Sequence, residues 1–161
     1  MSQALDRPAP NVPRWLVRTI WIVHRAAYSL TRGRFGLRPA TSSQWGMLRL
    51  RTVGRKSGRE RVAIVGFLQD GPSLITPAMN GWAEPEPAWW LNLQANPEAT
   101  VELPDGSSRA VTARAAVGDE RARLWARFVG LGSSAFSDAS AATRSRETAL
   151  VIFEPRLDRP L

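Results

Sequence analysis

The chain contains no cysteine, which excludes at one stroke a disulfide framework, thiolate-bound zinc, an iron–sulfur cluster and a thiol nucleophile. His24 is its only histidine, so an imidazole-rich metal centre lacks ligands and a Ser-His-Asp triad would have to use that one ring. Tyrosine and lysine are equally scarce, represented by Tyr28 and Lys56 alone. No apolar run reaches the ~18 residues that a membrane-spanning helix needs. Residues 1–13, with Pro8, Pro10 and Pro13, are too polar for a secretory signal and read as a mobile leader. What remains is a chain of 161 residues, 43% hydrophobic, enough for one domain with a single core. Its net charge of +8 favours an anionic partner, whether nucleic acid, an acidic membrane or a polyanionic small molecule. Of the 22 basic residues all but Lys56 are arginine. A coding bias toward arginine accounts for that total, but not for how the charges cluster.

Pro13 suits a helix start, and over residues 14–32 Leu16, Ile20, Val23, Ala27 and Leu30 recur at three- and four-residue spacing, the mark of an amphipathic helix. Arg14, Arg18, Arg25 and Arg32 share the opposite side with Trp21. That side suits peripheral contact with anionic lipid headgroups, or plain solvation of a helix packed on a domain, and both readings stay open. From Met47 to Val53 the pattern alternates, Leu48, Leu50 and Thr52 against Arg49, Arg51 and Val53, as in a half-buried strand. Further strands are expected over 61–68, 74–78, 99–103, 109–115 and 149–153, with a hairpin turn at Pro104, Asp105 and Gly106. A short helix fits 88–95 between Pro87 and Asn96-Pro97, and a longer one, capped by Asp119, carries the apolar stripe Ala122, Leu124, Trp125, Phe128 and Leu131. Six short strands with helices inserted between them imply a mainly β, α+β domain over 14–161: a small closed or partly closed barrel with helices outside.

The sharpest local feature is charge. Between Arg49 and Arg61 six of thirteen residues are basic and only Glu60 opposes them. Within this stretch lies Gly54-Arg55-Lys56-Ser57-Gly58, a loop able to bring backbone N–H groups, two cations and a hydroxyl onto one anion. It is not a P-loop, because the Gly-x4-Gly-Lys-Ser spacing is absent and a strand, not a helix, follows; nor does any Gly-x-Gly-x-x-Gly open a helix. The bland alternative is a solvated hairpin tip whose charges discourage edge aggregation. A second cluster, Ala78, Met79, Asn80, Gly81 and Trp82 followed by Trp89, Trp90 and Asn92, could wall a flat aromatic ligand or simply close a core. Aromatic residues together with arginines also keep a single-stranded nucleic-acid-binding module open, although the two are not interleaved on the strands.

Taken in order, Gly-Arg-Lys-Ser-Gly, Arg61, a strand ending at Asp70-Gly71, Asn80-Gly81, Pro87-Ala88-Trp89 and Asn92-Leu93-x-Ala-Asn-Pro97 resemble the deazaflavin-dependent nitroreductase and quinone reductase family. The resemblance covers roughly residues 30–155 and implies a split β-barrel of the FMN-binding-like kind that uses coenzyme F420, with FMN as the alternative cofactor. It implies that Arg55, Lys56, Ser57, Gly58 and Arg61 meet the phosphate end of F420, and that Ile64, Ala78, Met79, Asn80, Gly81, Trp82, Trp89 and Asn92 border the ring system. The implied activity is hydride transfer from reduced F420 to a quinone, a nitroaromatic or another conjugated small molecule, in the cytoplasm or at the inner face of the membrane, with no nucleic-acid partner. A non-catalytic F420 or flavin carrier is the alternative. The sequence departs from the family at the acceptor end. Ile64 stands where a proline is usual, Phe67 where an aromatic hydroxyl is usual, Trp82 replaces the second glycine of a Gly-Gly pair, and Phe136 lies where acceptor-facing tyrosines occur.

Overall fold

A computed structural model describes residues 37–79, 85–131 and 147–156, all within one compact unit, Leu37–Leu161. The leader 1–13, the helix expected over 14–32, Asn80, Gly81, Trp82 and Phe136 lie outside the described residues. Six antiparallel strands form the unit: β1 (Gly46–Val53), β2 (Glu60–Asp70), β3 (Ser73–Pro77), β4 (Glu98–Glu102), β5 (Ser108–Ala115) and β6 (Leu150–Pro155). Their order, β1-β2-β3-β6-β5-β4, closes on itself through the β1–β4 ladder from Arg49 opposite Glu102 to Thr52 opposite Ala99. Every strand has a neighbour on both sides, but β2 meets β3 only from Leu68 to Asp70, so that from Arg61 to Phe67 it is paired, among the described residues, on the β1 side alone.

The alternation read from the sequence sets which side chains enter the barrel. Leu48, Leu50 and Thr52 are buried inside it, facing Val65, Ala63 and Arg61 of β2 in register. Phe67, Leu74, Val101, Val111, Ala113, Val151 and Phe153 fill the same interior. Arg49 and Arg51 fall on the outer face, where Glu102 of β4 receives both, Arg49 at 2.9 Å. Glu60 receives Arg51 again, at 3.5 Å.

Two helices complete the described unit. Helix α1 (Ala88–Ala95) follows Pro87, which serves as its N-cap without a side-chain bond, and ends where the Asn96 N–H reaches the Asn92 carbonyl at 2.8 Å. It does not lie outside the barrel as expected. Trp89, Trp90 and Leu93 join the interior cluster, so α1 plugs the barrel at the end that carries the β1–β2 hairpin. Helix α2 (Gly118–Gly130) covers the outer face of β2, β3 and β6, burying Leu124 and Phe128 among Leu68, Ile75, Leu150 and Ile152. Each of those two side chains is worth roughly 1.5–3 kcal/mol removed from water. Two sequence expectations are corrected here. Val117 is the N-cap and makes no side-chain bond, so Asp119 sits in the first turn and acts only through the helix dipole; Ala122, placed in the apolar stripe, is exposed. Arg123 and Arg127 then fasten α2 to Asp70 at the end of β2, at 2.8 and 2.5 Å. Among the described residues, no helix is long and apolar enough to cross a membrane.

Candidate functional site

The β1–β2 connection is a tight loop closed by its own backbone. The Gly54 N–H donates to the Arg59 carbonyl at 2.8 Å, and the Ser57 and Gly58 N–H groups both donate to the Gly54 carbonyl, at 3.1 and 2.8 Å. Gly58 has φ +63°, a left-handed conformation that glycine takes without strain. Gly54 is required for a different reason. A Cβ there would stand 2.9 Å from Ser57 Oγ and 3.1 Å from the Arg59 carbonyl oxygen. The Arg59 N–H donates to Ser57 Oγ at 3.4 Å, and the Arg55 N–H donates to Asn92 Oδ1 at 3.1 Å. Among the described residues, Lys56 therefore supplies the one backbone N–H of this loop without an intramolecular acceptor. The expectation that several backbone N–H groups converge on an anion is corrected: the loop consumes them to hold its own shape, and recognition falls to side chains.

Those side chains carry an excess of positive charge. Of the six basic residues between Arg49 and Arg61, Arg49 and Arg51 are neutralised on the outer face of the barrel by Glu102 and Glu60. Arg55, Lys56, Arg59 and Arg61 are exposed, and none has a carboxylate partner among the described residues. Arg61 shares the inward side of β2 with the Thr52 position it opposes, and at the barrel rim its Nη2 donates to Ser57 Oγ at 3.3 Å. Ser57 thus accepts from two groups and keeps its own proton to donate outward. The guanidinium forks of Arg55 and Arg61, the Lys56 ammonium and its N–H, and the remaining Ser57 hydroxyl proton can all donate to one ligand, which fits a phosphate dianion, with the Arg59 charge nearby in the same loop. A cleft of about 420 Å³ at the opposite end of the barrel, lined by Ala40, Thr41, Leu68, Gln69, Arg127 and Leu131, has no comparable set. Its arginine is already held by Asp70 and the Gln69 carbonyl.

The residues expected beside a ring system divide sharply. Ala78 is fully buried and its N–H is bound to the Ala149 carbonyl at 2.8 Å. Trp89 is 9% exposed and packs edge-on to Trp90, ring centres 6.5 Å apart, in the barrel interior. Asn92 is 5% exposed, with Oδ1 toward Arg55 and Nδ2 donating to Thr52 Oγ1 at 3.2 Å. For these three the core-closing reading describes what the side chains do. Met79 and Ile64 are half-buried and remain within reach of solvent. Sequence reasoning passed over two neighbours of Ile64. Val53 and Val62, 41% and 38% exposed, lie with Ile64 on the outer face of β1 and β2, where Val62 and Ile64 stand opposite Arg51 and Arg49 and Val53 opposite Glu60, so these aliphatic side chains alternate with the ion-paired ones. Alternation had put Val53 on that face, but only strand register shows that Val62 joins it.

Comparisons with known proteins bear on the family and the fold. The sequence profile of the F420H(2)-dependent quinone reductase family matches residues 22–155. An F420H(2)-dependent quinone reductase of Mycobacterium tuberculosis is 33% identical over 123 residues, 71% of this chain and 79% of its own length. Among solved structures, an F420-H2 dependent reductase superposes with a TM-score of 0.59 at 25% identity, over 67% of this chain and 93% of that one. A domain-swapped dimer, 23% identical, superposes with a TM-score of 0.60 over 85% of this chain and 99% of that one, and shares the fold.

Proposed function

The chain belongs to the F420H(2)-dependent quinone reductase family and is an F420-dependent reductase; from that premise we propose that Arg55, Lys56, Ser57 and Arg61 clamp the phosphate end of F420, and that a quinone or similar conjugated small molecule is the acceptor. The carrier and nucleic-acid readings of the basic loop give way to this one. Peripheral membrane contact rests on residues 14–32, outside the described part of the chain, and no observation supports it.

One observation carries the proposal: four exposed cations without carboxylate partners surround a loop whose own hydrogen bonds hold it in shape. Bound F420 supplies the hydride chemistry, so the protein's work is binding, orientation and exclusion of water. Arg55 and Arg61 offer planar forks to phosphate oxygens, Lys56 adds a mobile point charge and its backbone N–H, and Ser57 donates its hydroxyl proton. On this reading the ring system leaves the loop along the aliphatic side chains of Val53, Val62 and Ile64, beside the ion-paired Arg49 and Arg51, with Met79, Asn80, Gly81 and Trp82 as the remaining border.

The test is an Arg55→Ala, Lys56→Ala double variant titrated with F420 by fluorescence. Two exposed charge-assisted contacts, screened by solvent, are worth about 1 kcal/mol each, so the dissociation constant should rise about thirtyfold. Unchanged affinity with intact thermal stability would move the phosphate site elsewhere.

A further inference from the structure

We infer that Asn92 is a positioning residue for the phosphate end of the cofactor, acting through the backbone of the basic loop and not by contact with the ring; this rests on the clamp proposed above. Apart from the Arg61 side chain on Ser57, the bonds from Arg55 to Asn92 are the only hydrogen bonds among the described residues that tie residues 54–59 to another element. Asn92 Oδ1 accepts from the Arg55 N–H at 3.1 Å and also faces Arg55 Nη1 at 3.5 Å. Because the Arg55 N–H can only donate, it fixes which way round the amide sits, and Nδ2 then donates to Thr52 Oγ1 at 3.2 Å inside the barrel. The helix that carries Asn92 is anchored by Trp89, Trp90 and Leu93 in the interior, so the amide is a rigid post. With the Arg55 N–H held by Asn92 and those of Gly54, Ser57, Gly58 and Arg59 bound within the loop, the Lys56 N–H is the one left over. Asn92 also restrains the Arg55 guanidinium before any anion arrives. Preorganisation of this kind lowers the ordering cost of binding without adding a contact.

The experiment compares F420 with its deazaflavin chromophore lacking the phosphate and glutamate tail, titrated against the full chain and its Asn92→Leu and Thr52→Val variants. Asn92→Leu should weaken F420 binding about tenfold and leave the tail-less chromophore unaffected. Thr52→Val should do the same to a smaller degree, and in turnover both variants should raise KM for the cofactor more than they lower kcat. Equal losses for the two ligands would put Asn92 against the ring and overturn the inference, as would no loss for either. If Asn92→Leu fails to fold, Thr52→Val carries the comparison with the same two outcomes. The Arg55→Ala, Lys56→Ala variant separates the two levels. Should it bind F420 like the parent, the clamp itself is wrong; should it lose binding while both positioning variants do not, only the role of Asn92 falls.

Discussion

Replacing Gly54 by alanine should weaken cofactor binding although it removes no charge and demands no unusual backbone angle. The added methyl would stand 2.9 Å from Ser57 Oγ, 3.1 Å from the Arg59 carbonyl oxygen and 3.2 Å from Arg61 Cγ. Ser57 can rotate away, but its oxygen then releases Arg61 Nη2 at 3.3 Å and the Arg59 N–H at 3.4 Å. The Arg59 oxygen is backbone and accepts from the Gly54 N–H itself at 2.8 Å, so it cannot retreat without opening the loop. Overpacking costs about 1–3 kcal/mol in a closed core. An exposed loop relaxes more readily, so about 1 kcal/mol is expected, a five- to tenfold rise in the F420 dissociation constant. Gly58 is the internal control. Its φ is +63° and a Cβ there would meet nothing within 4 Å, so Gly58→Asn, which tolerates the left-handed region, should keep both affinity and melting temperature. Fluorescence titration and thermal unfolding of the two variants read both quantities. A Gly54→Ala protein that binds F420 like the parent would refute the claim that this packed loop geometry is what binding uses.

The attachment of α2 should weaken in acid. Hydrogen bonds from Arg123 hold the Asp70 carboxyl below its ordinary 3.8 against the opposing effect of desolvation, and the Arg123 and Arg127 charges add to them. Arg114 likewise holds Glu120 below its usual range. Because these folded-state values are depressed, the stabilisation is complete above the unfolded values and is lost as pH falls through the folded ones, below 3.8 for Asp70. Asp70→Asn should cost about 1 kcal/mol at neutral pH and flatten the acid limb followed by circular dichroism; an unchanged limb would contradict the assignment. Gly66→Val should destabilise by about 1–3 kcal/mol, since its Cβ would stand 2.8 Å from Cε3 of Trp45, which itself packs edge-on to Phe128 at 6.0 Å. A melting temperature equal to the parent's would show that Trp45 is free to shift.

Strand positions were legible because burial follows period-two alternation along a barrel wall, as in Leu48, Leu50 and Thr52. The hairpin at Pro104, Asp105 and Gly106 was legible because its turn needs the φ of +85° that Gly106 supplies. What stayed hidden depends on pairing between distant segments. Counting along the sequence set six cations against Glu60 alone, but β4 brings Glu102 across to Arg49 and Arg51 from some fifty residues away and neutralises them. Asn92 looked like a ring contact because a polar side chain beside two indoles suits a ligand. Its burial, and its bonds to Thr52 and Arg55, follow only from where the closed barrel puts α1. No pattern in Gly54–Gly58 foretold that the loop would spend nearly all its N–H groups on itself.

The most direct test of the central claim is titration of the purified chain with F420, followed by cofactor fluorescence and repeated at raised ionic strength. Saturable binding at micromolar concentration that weakens with salt, as exposed cations facing a phosphate require, is the predicted result. Absence of binding, or binding indifferent to salt, would contradict the assignment of Arg55, Lys56, Ser57 and Arg61 as the clamp.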